Sequence, residues 1–378
     1  MIENLNRGLI HFGKYVVAPA TLLPIRGGRK KPYDFVTIDQ LQAQFSDRVA
    51  ISHFDEPSDV ETSNGFVAVL KSGWCHGRYC DWIGIEDRPL RDFRLFDGER
   101  RMTAKKYPMG RLNPRYYRQL LTTPDRFPKP TRVAGRVLVL NKGAAHNYYH
   151  WITEVLPRIE LTRRAGWTEA DFYVVDCYKP FQRQTLECLG IPREKVIEPH
   201  NGLLIEADEL IVPSLATAVA RGRTGEMLRQ ALAVPPPPQS GGTRRIFVSR
   251  KVARTRRIAN ESQIEEMLIP LGFEFHCLEQ YSLAKQIQLF GEAAMIVGGH
   301  GAGLTNMLYA PAGTQIIELA PSNYVRKCYA MLSEELGHPY RLVEAKRSRR
   351  TRSLHVPCDA LMAAVTEAME TQPQSSLP

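Results

Sequence analysis

Ala293-Ala-Met-Ile-Val297 is a short apolar run that passes into Gly298-Gly299-His300-Gly301-Ala302-Gly303, and Leu304-Thr305-Asn306 carries on as a helical stretch to Tyr309. Working outward from it, Arg245-Ile-Phe-Val-Ser249 is β-branched and aromatic and predicts a strand. Asn260 can cap a helix over Glu261–Ile269, which Pro270 and Gly272 stop. Phe273–Leu278 predicts a second strand, and Ser282 opens a helix over Leu283–Glu292. Thr314–Leu319 predicts the strand after the glycine turn. Apolar strands alternating with helices mean a parallel sheet covered on both faces, with ligands bound outside the carboxyl ends of its strands.

Val234-Pro-Pro-Pro-Pro-Gln-Ser-Gly-Gly242 precedes this lobe, and four prolines followed by a glycine pair read as an interdomain linker. Before it the alternation is weaker: strands over Arg136–Leu140, Asp171–Asp176, Lys195–Ile197 and Glu209–Val212, and helices over His150–Arg164 and Phe181–Leu189. The expected organisation is an addition over 1–130, mostly β (Gly65–Leu70 reads as a strand), and a first α/β lobe over 131–234. The linker follows at 235–242, a second lobe at 243–345, and a basic segment with a terminal helix, Asp359–Thr371, at 346–378.

The 378 residues carry 50 Lys and Arg against 40 Asp and Glu, and the excess is concentrated. TRRIFVSRKVARTRR (243–257) holds six Arg and one Lys, and KRSRRTR (346–352) five more basic residues. Such patches attract phosphate, whether of a nucleotide, an acidic lipid or a nucleic acid. The basic residues sit at strand ends with no aromatic-interleaved module, which argues against nucleic acid as the partner. Seven cysteines (Cys75, Cys80, Cys177, Cys188, Cys277, Cys328, Cys358) are odd in number and form no C-x-x-C pair, the pattern of free thiols in a reducing compartment. No run of about 18 apolar residues could span a bilayer. Tyr15–Ile25 is apolar but holds two prolines, so its expected role is at most surface contact. The expected setting is cytoplasmic.

Three stretches carry chemistry. Gly298–Asn306 lies where strand gives way to helix, so unpaired N–H groups and the helix dipole face an incoming phosphate. Glu318, at the end of the next strand, could receive a ribose hydroxyl. Arg250, just past a strand end, with Arg254, Arg256 and Arg257 behind it, offers guanidinium forks to a diphosphate. The third stretch is His146-Asn147-Tyr148-Tyr149-His150-Trp151-Ile-Thr-Glu154-Val-Leu-Pro157-Arg158. Its His146, His150 and Glu154, spaced by four, would share one helix face. A carboxylate stacked on an imidazole supplies a general base, and the same spacing could hold a metal for a hydrolase. No D-x-D occurs, the pair by which many nucleotide-sugar enzymes hold a divalent cation. No metal and no cofactor is therefore expected.

Together these stretches resemble glycosyltransferase family 61, whose bacterial members serve capsular polysaccharide biosynthesis. The matching residues are Asn147–Arg158, then Val248-Ser-Arg250 with Arg257-Ile-Ala-Asn260-Glu261, Leu271-Gly-Phe273, Leu283–Gln288, and His300–Asn306 into Ile317-Glu318. Order and spacing agree over roughly 135–345. The resemblance implies a GT-B-like α/β fold, two Rossmann-like lobes facing a cleft, and inverting transfer without a metal from a nucleotide-sugar donor to a glycan or lipid-linked glycan acceptor. It implies donor binding by His300, Gly301, Ala302, Gly303, Leu304, Thr305 and Asn306, and stabilisation of the leaving group by Arg250 and Arg257. It puts Asn147, Tyr149 and Trp151 at the substrate, and makes Glu154 the base with His150 as its partner, or His150 the base itself. Transfer between lobes predicts a hinge near the linker and a terminal helix packed back across both lobes. A lipid-linked acceptor and a basic surface predict peripheral membrane contact. The rivals are a catalytically inactive relative that only binds partners, a nucleic-acid-binding protein and the metal-dependent hydrolase.

Overall fold

A computed structural model describes residues 38–54, 65–78, 80, 82–85, 88–89 and 130–371, apart from 201, 215–217, 240, 254, 322–326, 349 and 352. The Tyr15–Ile25 run, Arg254 and the tail beyond Thr371 lie outside them. The first sheet holds β1 (Val49–Phe54), β2 (Gly65–His76), β3 (Trp82–Ile85), β4 (Arg88–Pro89), β5 (Thr131–Val139), β6 (Phe172–Val174), β7 (Val196–Ile197) and β8 (Leu204–Pro213). Its order is β4-β3-β2-β8-β5-β6-β7, with β1 paired to β2. β8, β5, β6 and β7 are parallel, and β2 joins β8 antiparallel from Val67 against Pro213 to His76 against Leu204. The described part of 1–130 thus completes the sheet of the first lobe. β8 begins five residues before the expected strand, at Leu204, because β2 pairs along its whole length. Buried Ile205 and Ala207 alternate there with more exposed Glu206 and Asp208.

The second sheet holds β9 (Arg244–Val248), β10 (Phe273–His276), β11 (Ala293–Gly299), β12 (Gln315–Pro321), β13 (Tyr340–Arg347) and β14 (Leu354–His355), in the order β10-β9-β11-β12-β13-β14. Its first five strands are parallel, so the chain runs outward from β9 to β10 and then returns to lay β11 on the other side. In such a doubly wound sheet the ligand crevice opens at that reversal, here between β9 and β11. The helix Glu261–Leu268 ends in a 3₁₀ turn, Ile269–Leu271, and Gly272 (φ 79°) closes it in the left-handed region. Ser282 caps Leu283–Gly291 by accepting from the Lys285 N–H at 3.2 Å. Asn260 does not cap. Its amide donates to the Val356 carbonyl (2.8 Å) and accepts from the Val356 N–H (3.0 Å), tying the C-terminal segment down.

Two expectations change. The terminal helix Cys358–Glu370 buries Leu361, Val365 and Ala368 against Ile264, Phe273 and Val343 of the second lobe, and does not cross to the first. Its apolar stripe matches only that sheet's outer face. The lobes also share one continuous apolar core, running from Val67, Leu138 and Trp151 to Ile296, Met307 and Tyr329. Helix Ala218–Ala231 is the joint. Buried Arg229 donates to the Tyr309 carbonyl (2.7 Å) and to Pro235 of the linker (3.0 Å). Arg221 Nε donates to Glu335 Oε2 at 2.8 Å. The linker is anchored to the core it was expected to hinge. Among the described residues no helix is long and apolar enough to cross a membrane, and the seven cysteines are free thiols.

Gly225, on the joint, has Leu308 against it: a Cβ would stand 2.6 Å from both the Leu308 carbonyl oxygen and its Cδ2. Ala in a helix interior gains about 1 kcal/mol over Gly. A clash with backbone cannot be relieved by a rotamer, and overpacking costs about 1–3 kcal/mol. Gly225→Ala is therefore expected to lower Tm by a few degrees in a melting experiment, against the sign that propensity alone would give.

Candidate active site

The crevice between β9 and β11 is built by Arg250 and the glycine turn. Arg250 leaves the end of β9, and its guanidinium donates to the carbonyls of Arg256 (2.9 Å) and Thr255 (2.7 Å). Its backbone N–H and the Ser249 hydroxyl donate to Glu261 at the start of the helix Glu261–Leu268. A Cβ on Gly301 would collide with the Arg250 guanidinium, and one on Gly299 would meet its Cδ at 2.6 Å. Those on Gly298 and Gly303 would press on Leu304, Val248 and Leu278. These glycines therefore admit neighbouring side chains, Arg250 first, rather than clearing space for a phosphate alone. Burial, with Arg256 nearby, pulls the Arg250 pKa down from its ordinary value. A cation so desolvated gains from a bound anion.

After the turn, Ala302–Tyr309 is a 3₁₀ helix rather than the expected α-helix, and everything in it from Leu304 to Tyr309 is buried. His300, also buried, hydrogen-bonds through Nδ1 to Glu318 on β12. Glu318 is 1% exposed, and its other oxygen accepts from the Tyr340 hydroxyl at 2.7 Å. Both oxygens are thus engaged in orienting His300, where the sequence pointed to a ribose hydroxyl. The Tyr329 hydroxyl donates to the Gly301 carbonyl at 2.6 Å and its ring meets His300 edge-on at 5.2 Å.

On the first lobe, the helical segment 148–164 is composite. One α-turn, Tyr148–His150, runs into a π-turn, Trp151–Val155, where the Leu156 N–H reaches back to the Trp151 carbonyl at 3.0 Å, and α-helix resumes at Pro157–Arg164. Pro157 has no N–H for the Thr153 carbonyl, so the ladder is already interrupted there. Such π-turns gather at functional sites. Asn147 caps the first turn, accepting from the Tyr149 N–H at 2.9 Å. His146 stays outside, exposed in the turn ahead of it, so the expected three-residue face reduces to two. His150 Nδ1 lies 2.7 Å from Glu154 Oε2, with side chains 28% and 24% exposed. Lys142, just beyond β5, pairs with the same oxygen. Burial alone would raise the Glu154 pKa, but the His150 hydrogen bond and the Lys142 charge outweigh it and hold it at about 2. Among the described residues His150 Nε2 meets no hydrogen-bonding partner.

Aromatic rings join the two sides. Tyr149 packs edge-on against His150 (5.2 Å) and against Tyr329 (5.6 Å), and Tyr329 against His300. The Tyr148 hydroxyl donates to Asn306 Oδ1 (2.9 Å), and the Asn306 amide donates to Gln286 (2.8 Å), so Asn306 acts as a clasp between lobes. Trp151 is wholly buried, its indole N–H given to Thr185 at 2.8 Å, and Thr305 and Leu304 are equally enclosed. Arg257 is exposed, and its Nε donates to the Ala253 carbonyl at 2.7 Å. The structure therefore groups His150, Glu154, Tyr149, Arg250, His300, Gly301, Ala302 and Gly303, and leaves Trp151 and Thr305 in supporting positions. Sequence reasoning passed over Lys142, Tyr329 and Tyr340. Lys142, directly beyond the strand end, was the one with a readable signal. Among the described residues no cluster of three or more His, Cys, Asp or Glu forms.

Residues 148–317 match the family model described as Glycosyltransferase 61, a narrower span than the resemblance covered. A beta-1,2-xylosyltransferase of Oryza sativa subsp. japonica is 35% identical over 52 residues, 14% of this chain and 10% of that protein. A protein O-linked-mannose beta-1,4-N-acetylglucosaminyltransferase 2 of Tetraodon nigroviridis is 37% identical over 73 residues, 18% of this chain and 12% of that protein. The chain spans about a tenth of the length of these relatives.

A carboxyl whose folded pKa lies below its unfolded value stabilises the fold above the unfolded value and loses that contribution as pH falls. For Glu154 the window runs from about 4.5 down to about 2. Lys142→Met is expected to cost about 1–3 kcal/mol at pH 7, the range for leaving one partner of a partly buried pair alone. Melting curves from pH 7 to 2.5 should show the gap in Tm between the two proteins closing through that window.

Proposed function

We propose that the protein is a glycosyltransferase that moves a sugar from a nucleotide-sugar donor to an acceptor hydroxyl, in an active site of GT-B type. The observation that carries this reading is the His150–Glu154 pair set one aromatic ring, Tyr149, from the side chains beside the glycine turn. The match over 148–317, and the sugar transfer named in both relatives, point the same way.

The acid strength of Glu154 favours His150 as the base. A base works best with a pKa near the working pH, and a carboxylate held at about 2 is a poor proton acceptor at neutrality. Glu154 instead fixes the ring of His150 through Nδ1 and leaves Nε2 to the acceptor, as the carboxylate orients the histidine of a Ser-His-Asp triad. His150 Nε2 takes the proton of the acceptor hydroxyl as its oxygen attacks the anomeric carbon. The bond from that carbon to the phosphate oxygen breaks on the opposite face, so configuration inverts. The nucleoside diphosphate leaves with negative charge against Arg250 and the N–H groups at the start of Ala302–Tyr309. Those groups, and a chain without D-x-D, support a departure that needs no divalent cation. A surface polysaccharide of capsular type, carried on a lipid and met by a cytoplasmic enzyme at the membrane face, is the acceptor this reading favours.

Thermal shift against UDP, GDP, CDP and CMP, with and without EDTA, tests the donor side, since a ligand of the native state raises Tm by mass action. One nucleotide is expected to stabilise the protein, insensitive to EDTA, and Arg250→Ala to abolish the shift. His150→Gln should keep the shift and lose about 10²–10⁴-fold in kcat. No shift with any nucleotide would overturn the donor assignment.

A further inference from the structure

Lys346 and Arg347, at the carboxyl end of β13, and Arg350 just beyond it are exposed, and none of the three side chains has a hydrogen bond or ion pair among the described residues. The Leu354 N–H donates to the Arg257 carbonyl, and the Ala259 N–H to the Leu354 carbonyl, both at 2.7 Å. Leu354 stands opposite Arg347 in the β13–β14 ladder, and exposed His355 opposite Lys346. The two basic stretches, far apart in the sequence, are thereby laid side by side in one surface, with Lys251 and Arg257 as its exposed cations on the β9 side. Its cations outnumber the acids beside it. Glu265 is held by Lys251 at 2.6 Å and Glu261 is buried on Ser249, while Glu344 and Asp359 are exposed. Exposed like charges without partners repel one another and favour an anionic partner.

The place of this surface in the sheet narrows the partner. β9, β11, β12 and β13 run parallel and in step, with Val248 beside Gly298, Gly299 beside Leu319 and Leu319 beside Val343. Lys346 and Arg347 therefore lie on the same edge of the sheet as Arg250 and the glycine turn, the edge on which such sheets bind ligands. The backbone links them as well: Arg250 donates to the carbonyls of Thr255 and Arg256, and the next residue, Arg257, is the one Leu354 pairs. Val252, on the loop between, is 51% exposed, an apolar side chain among cations. That combination suits a bilayer surface, where headgroup phosphates meet the charges and the apolar group reaches the acyl boundary. Nucleic acid fits less well, since neither basic stretch carries a ring to stack a base beyond Phe247, which is buried.

We infer that this rim of the second lobe docks on the anionic lipid headgroups of a bilayer, with Lys346, Arg347 and Arg350 as the main contacts and Val252 at the boundary, and turns the open edge of the sheet toward the membrane. The docking rests on these charges and their place. Its use, bringing a lipid-carried acceptor to the crevice along the surface rather than from bulk solution, rests on the glycosyl-transfer reading and adds which face of the protein the acceptor meets.

The test is co-sedimentation of the whole chain with vesicles of phosphatidylcholine alone, or of phosphatidylcholine and phosphatidylglycerol in equal parts, alongside nucleotide thermal shifts. Wild type should bind only the anionic vesicles, and less as salt screens the charges. A cation near such a surface is worth about fivefold in binding, so Lys346→Gln/Arg347→Gln/Arg350→Gln should weaken it about a hundredfold, with Tm and the nucleotide shift unchanged. Arg350→Gln alone should weaken it about fivefold, which repeats the test with a smaller change. The control Arg163→Gln/Lys195→Gln, which removes exposed charge from the first lobe, should leave binding nearly as it was. Binding to neutral vesicles as strong as to anionic ones, an equal loss in the control, or binding kept in the triple variant would overturn the docking surface. A duplex oligonucleotide that displaces the vesicles at a lower phosphate concentration would overturn lipid as its occupant. A nucleotide shift without vesicle binding overturns the docking alone; vesicle binding without any nucleotide shift overturns the donor reading and leaves the docking standing.

Discussion

The enclosure of Ala302–Tyr309 between the two lobes is the constraint on which the rest depends. Leu308 presses on Gly225, the Tyr309 carbonyl accepts a hydrogen bond from Arg229, and Asn306 holds Tyr148 on one side and Gln286 on the other. The same segment is the continuation of the glycine turn. Whatever positions the crevice of the second sheet therefore also positions the start of helical segment 148–164, and with it His150. An eight-residue 3₁₀ helix is long for its kind, because its hydrogen-bond geometry is poorer than that of an α-helix. It is held by burial on every side rather than by its own ladder.

Electrostatics then separate two carboxyls of the first lobe. Glu154 has Lys142 and His150 on one oxygen and is driven to about 2; Asp176 has no hydrogen-bonding partner on its carboxylate among the described residues, and burial drives it to about 6. Both stand near strand ends joined by the dipeptide Asn141-Lys142, so the contrast is set by the immediate partners and not by depth alone. Pairs of titratable groups pushed apart in this way commonly mark a division of labour. One carboxylate stays charged to orient an imidazole, and burial pushes the other toward its neutral form.

Much of the second lobe was legible in the sequence, because its strands are buried on both faces and read as plain apolar runs, as Ala293–Val297 and Thr314–Leu319 do. β8 was read too short because its half-exposed length alternates with Glu206 and Asp208 and needs β2 to reveal it. In the site, the His150–Glu154 pair followed from i,i+4 spacing, which survived although the helix there is a π-turn. Trp151 could not be told from a ligand-facing residue, since an indole in a motif and an indole in a core look alike until Thr185 is seen to take its N–H. Glu318 was assigned to a ligand for a similar reason: its partners, His300 and Tyr340, lie 18 and 22 residues away and meet it only through the sheet. Glycine was legible as a need for space, but not what the space was for.

The space beside these glycines bears on how the proposed site can work. If Gly299 and Gly301 exist to let Arg250 lie against the turn, the guanidinium is held in place before any donor arrives, its Nε and Nη2 already committed to the carbonyls of Arg256 and Thr255. In the proposed transfer, a preset cation would cost no reorganisation when charge develops on the leaving group. The same holds between lobes. Opening at the linker would break the Tyr148–Asn306 and Arg221–Glu335 contacts, strip Arg229 of the Tyr309 carbonyl and expose apolar surface that the lobes bury jointly. Burial is worth about 25 cal/mol per Å², so even a few hundred square ångströms would cost many times RT. Wide cleft motion is thus opposed by the core itself, and the rings of Tyr149 and Tyr329 already join the two sides of the proposed site.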